Sequence, residues 1–67
     1  MIKVIKIEAA NPSGKVAILF ADTKTEVPAT AEGMTAEGRP LAAGSVIYTA
    51  KMEIAALKSD GSWEWGD

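Results

Sequence analysis

Apolar and polar positions alternate with a two-residue period at the start of the chain and return to it near the end, the pattern of half-buried β-strands. Ile5, Ile7 and Ala9 alternate with Lys6 and Glu8, and Asn11-Pro12-Ser13-Gly14 follows as a turn: Asn at its first position, Pro fixing φ at the second, Gly at the fourth. With Ala10 and Lys15 flanking the turn, Ala9 faces Val16, Ile7 faces Ile18 and Ile5 faces Phe20, so one face is wholly apolar. The same register sets Lys3 opposite Asp22 as an exposed ion pair, worth at most ~1 kcal/mol. Strands are therefore expected at 2–9 and 15–21. Ala17, Leu19 and Ala21 make the second strand apolar on both sides, which places it inside a sheet.

Asp22 to Glu26 has the spacing of a capped helical turn, Thr23 with Glu26, and Pro28 limits it to one turn near 23–27. From Pro28 to Ala43 the composition shifts to Gly, Pro, Ala and Thr, and this stretch reads as a long loop, 28–43. The tetrapeptide Thr-Ala-Glu-Gly occurs at 30–33 and 35–38, too short to define a repeat architecture. Long loops in compact domains are usually functional or mobile. Met34, Arg39 and Leu41 are its candidate partner contacts, because Met and Arg are enriched in interface cores. The competing reading folds Met34 or Leu41 back over the sheet.

After Gly44 the strand period returns. Ser45 to Thr49 is β-branched and aromatic, giving a strand at about 45–50. Met52 to Lys58 has some helical propensity, but too few residues separate it from the Asp60-Gly61 turn, so a strand at 52–58 is the better reading. A two-residue turn would pair Lys58 with Trp63. A three-residue turn with Gly61 in a left-handed bulge pairs Leu57 with Trp63 and Ala55 with Trp65. The second is preferred, since it puts Leu57, Ala55 and both indoles on one face of the last strand, 62–65.

These residues carry a resemblance. Leu41-Ala42-Ala43-Gly44-Ser45-Val46-Ile47-Tyr48, a strand ending at Leu57, and Ser59-Asp60-Gly61-Ser62-Trp63 resemble a β-module of small bacteriophage virion-associated proteins, head-fibre proteins among them. In that module an apolar strand after Gly-Ser leads to a strand bearing an aromatic and a Leu, and then to Asp-Gly-x-Trp. Here Thr49-Ala50-Lys51 replaces the usual Asp-Thr-Gly-like turn, and Ala55 stands where the aromatic is expected. The resemblance implies a structural or attachment role in a virion or its assembly, without catalysis, and an oligomeric state. It implies the virion or the host cytoplasm as location.

Composition narrows the chemistry. Sixty-seven residues make one domain, 1–67. A chain this short buries only about 60% of its unfolded surface and its core rarely supplies more than ~3–5 kcal/mol. With neither Cys nor His, disulfides are excluded and a closed zinc site is disfavoured, leaving association as the expected reinforcement. No cofactor or metal site is expected. The net charge of −2, with both signs interspersed, offers no basic face for nucleic acid. Lys3 and Lys6 interrupt the apolar N-terminal stretch, so neither a signal peptide nor a membrane span is expected.

Enzyme chemistry would fall to carboxylates such as Glu53, Asp60 and Glu64 in a chain with little cleft to perturb them. Trp63 and Trp65 lie ~7 Å apart on one strand face. Open, they are a platform for sugar rings or bases; closed, they are the lid of the core. The core reading is favoured because so small a protein can hardly spare its largest apolar side chains. The expected fold is all-β, about five antiparallel strands in one curled sheet or small open barrel. Its expected function is phage-type structural or attachment work through protein contacts, with a small carbohydrate- or ligand-binding module as the alternative.

Overall fold

The computed structural model describes Met1–Gly66. Its strands are β1 (Lys3–Asn11), β2 (Gly14–Ala21), β3 (Thr35–Ala36), β4 (Arg39–Pro40), β5 (Val46–Thr49), β6 (Ile54–Leu57) and β7 (Trp63–Trp65), with one 3-10 turn at Lys24–Glu26. β1, β2, β5, β6 and β7 form a five-stranded sheet in that order, and β3–β4 a separate two-stranded ribbon. The all-β class and the five main strands are as expected, each end within two residues of its predicted position.

The expectation of wholly antiparallel strands is corrected at one seam. β2 and β5 run parallel, from Ile18 beside Val46 to Ala21 beside Thr49. The reason lies in the intervening segment. It leaves β2 at Ala21, crosses one face of the sheet, and returns to the start of β2, where Leu41 bridges Lys15 and the Ala42 N–H donates to the Lys15 carbonyl at 2.7 Å. A chain brought back to that end must re-enter the sheet in the direction of β2. The sheet is open rather than a barrel. The outer side of β7 is met by the 29–31 segment, with Trp63 N–H donating to Ala29 O at 3.1 Å and Ala31 N–H to Gly61 O at 2.8 Å.

The crossing segment is the lid of the core. Ala17, Leu19 and Ala21 of β2, Ile47 of β5, Ala55 and Leu57 of β6, and Trp63 are buried with Ala31, Ala36 and Leu41 from the segment. Val27, Met34 and Trp65 pack against this cluster. The expected loop 28–43 is therefore partly regular. Ala36-Glu37-Gly38-Arg39 makes a tight hairpin turn with positive φ at both central residues, 53° at Glu37 and 80° at Gly38. The sequence signal was weak because Glu, not Asn or Asp, fills the first of these positions.

The first hairpin follows its predicted register only next to the turn. Ala10 pairs with Lys15 and Ala9 with Val16, but shifts between Ile7/Ala9 and between Val4/Lys6 move the rest. Ile7 then pairs with Ala17, Lys6 with Ile18, Val4 with Leu19 and Lys3 with Phe20. The expected Lys3–Asp22 ion pair does not form; Asp22 instead meets the Met1 ammonium at 2.5 Å. Each shift swaps the faces of the residues beyond it. The core face of β2 is Ala17-Leu19-Ala21, not Val16-Ile18-Phe20, because the crossing segment packs on that side, and the shifts bring Ile7 and Val4 round to it. The two alanines leave room for the crossing segment against Leu19. The C-terminal hairpin takes the preferred register, Leu57 with Trp63 and Ala55 with Trp65, and Gly61 sits at φ 91°.

Ser45 joins these parts. It is wholly buried; its Oγ donates to Ala42 O at 2.8 Å and accepts from Ala17 N–H at 3.1 Å. Gly14 is the other close junction: a Cβ there would lie 2.2 Å from the Pro40 carbonyl oxygen.

Candidate functional site

The tryptophan end of the sheet is closed. Trp63 is 7% exposed, and its Nε1 is buried without a hydrogen-bond acceptor among the described residues. Trp65 is half-buried, with Lys24 Nζ 5.0 Å from its ring centroid in a cation–π contact. The pair shares a face through Ala55 and Leu57, and that face is the core side. Trp63 presents no ring to solvent, and Lys24 lies over that of Trp65.

The three residues singled out in the crossing segment are separated by the fold. Leu41 is buried and Met34 packs on the core, so both fold back over the sheet. Arg39 is exposed and acts within the chain: its Nη2 donates to the carbonyls of Asn11 and Pro12 at 3.2 and 3.1 Å. It fastens the ribbon to the β1–β2 turn, which Asn11 Oδ1 already organises by accepting from the Ser13 and Gly14 N–H groups, both at 3.0 Å.

A groove of about 730 Å³ lies between the crossing segment and the last turn, lined by Glu32, Met34, Leu41, Lys58 and Asp60 among others. Asp60 is its best-placed carboxylate, and it is already engaged. It accepts from the Ser62 hydroxyl at 2.7 Å and the Ser62 N–H at 2.9 Å, and these bonds hold its pKa below the ordinary carboxylate value. This is turn chemistry. Among the described residues no three acidic side chains gather as a metal site, and no helix is long and apolar enough to cross a membrane.

What the fold leaves open is the other face of the sheet. Cross-strand pairing lines up two rows on it. One runs Lys3, Phe20, Tyr48, Ile54; the next runs Lys6, Ile18, Val46, Ala56, Glu64. Phe20, Ile18 and Val46 are half-buried by their neighbours alone, while Tyr48 is 41% and Ile54 43% exposed. The crossing segment packs only on the opposite face, so this one has no cover within the described residues. Its edges are charged: Lys3 and Lys6 on β1, Glu64 on β7. Lys6 also meets Glu8 on its own strand at 3.2 Å.

Of these residues, Ile18 and Phe20 were expected on the apolar face of the first hairpin that would build the core. The signal that marks them is the two-sided apolarity of β2, repeated in Val46/Tyr48 and Ile54/Ala56. A sheet with cover on one side only must leave one of the two apolar sets open.

No family model matches the chain, and no curated protein or solved structure is significantly similar to it.

Proposed function

We propose that this chain is a non-enzymatic assembly module that works by protein–protein contact through the open face of its sheet. The virion-associated proteins that its Gly-Ser and Asp-Gly-x-Trp residues resemble supply the setting: a structural or attachment component of a phage particle or of its assembly. The observation that carries the reading is the continuous apolar surface of Phe20, Ile18, Val46, Tyr48 and Ile54 on a domain whose core is already closed on the other side. Exposed apolar residues gathered in one patch mark an interaction site more often than scattered ones do. The motif residues support the same reading by being structural. Ser45 braces β2 against the returning chain and Asp60 shapes the last turn. The carbohydrate alternative draws no support from Trp63, which is buried in the core, or from Trp65, which is half-buried with Lys24 over its ring.

The test is a double substitution, Tyr48→Lys with Ile54→Lys. Both side chains are exposed, so the melting temperature should stay within a few degrees of wild type. The variant should be lost from the particle or complex with which the wild-type chain co-sediments. A stable variant that still co-sediments in wild-type amount refutes the reading.

A further inference from the structure

We infer that the occupant of the open face is a second copy of the chain, packed sheet on sheet about a two-fold axis that runs along the strands. This rests on the face being a contact surface, and it names the partner. The reason is where the charges lie. Lys3 and Lys6 are on β1 at one edge, where Glu8 pairs with Lys6 and still leaves the edge net positive; Glu64 is on β7 at the other edge, and the paired residues between them are apolar.

A two-fold axis in the plane of the interface can lie in two simple ways. Laid across the strands, it sets β1 over β1 and so lysine over lysine, with Glu64 over Glu64. Laid along the strands, it sets β1 of each copy over β7 of the other, bringing Lys3 and Lys6 to Glu64 twice. Only the second makes the face complementary to itself, as an isologous interface requires. Aligned sheets pack about 10 Å apart with strands within about 30°, a spacing the side chains of Phe20, Tyr48 and Ile54 can fill without altering which edges meet.

Size sets the strength. Five strands with four spacings of ~4.8 Å make the face roughly 19 Å wide, and the paired rows extend roughly 13 Å along the strands. With its margins, such a face buries on the order of 800 Å² in total, below the roughly 1,200 Å² of stable specific interfaces and in the range of weak, transient ones. The dimer should therefore form and separate with concentration, and gain permanence where many copies are held together.

Sedimentation equilibrium of the full chain, from micromolar to millimolar, tests this at low salt. The wild type should show a monomer–dimer equilibrium. Glu64→Lys should raise the dissociation constant roughly ten- to thirtyfold, as two rim contacts per dimer turn from attractive to repulsive, and the difference should shrink near 0.5 M salt. Lys3→Glu with Lys6→Glu should weaken self-association likewise, and mixing the two variants should restore a dimer, because every facing edge is then opposite in sign. Circular dichroism melts confirm that each variant is folded, and the two variants test the same contact independently.

A wild type that stays monomeric at millimolar concentration overturns the second copy as occupant. So does a dimer that both charge reversals leave untouched. If Tyr48→Lys with Ile54→Lys nonetheless loses the co-sedimenting complex, the contact face stands and its partner is a different protein. If that double variant changes neither the complex nor a dimer, the face itself is refuted.

Discussion

Replacing Ser45 by Ala removes one oxygen from the interior, and the consequences can be followed bond by bond. In the wild type Ser45 Oγ accepts from the Ala17 N–H and gives its proton to Ala42 O, with Lys15 O also in reach at 3.3 Å. After the change the two carbonyls keep partners. Ala42 O still accepts from Ser45's own backbone N–H at 3.2 Å, which alanine retains, and Lys15 O still accepts from Ala42 N–H at 2.7 Å. The Ala17 N–H does not. It belongs to a residue 1% exposed and would be left without an acceptor. The expected loss is that of one buried, unsatisfied donor, about 1–3 kcal/mol. For a domain of this size that lowers the melting temperature by roughly 5–20 °C. Thermal unfolding followed by far-ultraviolet circular dichroism measures it. Ser45→Thr is the companion variant: it keeps the oxygen but adds a methyl group where nothing is exposed, so its penalty is one of overpacking. Amide exchange separates the two, since only Ser45→Ala should speed exchange at Ala17. A Ser45→Ala protein melting within about 2 °C of wild type would show that the hydroxyl is not the brace described, against the penalty expected for a buried orphan donor.

Three further outcomes are expected. Gly14→Ala should destabilise by about 3 kcal/mol or more, because its Cβ meets backbone oxygen of Pro40 rather than a movable side-chain end; chemical denaturation would show the loss, and a shift under 1 kcal/mol would refute the close approach. Met52 has φ 65° and is 85% exposed, so Met52→Asn should relieve left-handed strain at no packing cost and raise stability by up to about 1 kcal/mol, again by denaturation. Asp60 titrates below its ordinary value because the Ser62 hydroxyl and N–H favour the carboxylate. A lowered folded pKa adds stability above the unfolded pKa that is lost as pH falls through the folded one. Asp60→Asn should therefore flatten the acid side of the stability profile, and an unchanged acid limb would argue against the turn.

Much of this fold is legible in the residues themselves. The Asn-Pro-Ser-Gly turn, the strand positions and the C-terminal register all follow from local patterns whose causes are local. Asp60-Gly61 sets the loop, and small Ala55 accepts Trp65. What the sequence hides is what no local pattern specifies. The shifts in β1 invert its faces between Ala9 and Ile7, and each bulge is a single added residue without a Gly or Pro to announce it. The parallel pairing of β2 and β5 depends on where the crossing segment ends. That segment looks like loop because much of its contribution is alanine: Ala31 and Ala36 enter the core beside Leu41, while the Glu-Gly that follows each alanine makes a turn. The twice-occurring Thr-Ala-Glu-Gly is therefore one device used twice: a small residue to bury, then a reversal.

The open face was missed for a related reason. Apolar residues on β2 point both ways, and nothing in the strand says which set will be covered. The tertiary crossing decides that, and it covers the side with the smaller residues.

The parallel seam also bears on how fast the molecule forms. β1–β2, β3–β4, β5–β6 and β6–β7 are hairpins between neighbours in the chain, but β2 and β5 meet only when Ile18 finds Val46, 28 positions on. Hairpins close in about 1–10 μs, whereas pairings between distant residues must first meet the entropy of loop closure. The two halves of the sheet should accordingly be able to form early and separately, with their joining across β2 and β5 as the slow event. Interactions that fasten the crossing segment, Ser45 and the Gly14–Pro40 approach foremost, lie at that junction. If they form with that joining, weakening them should slow it as well as lower stability.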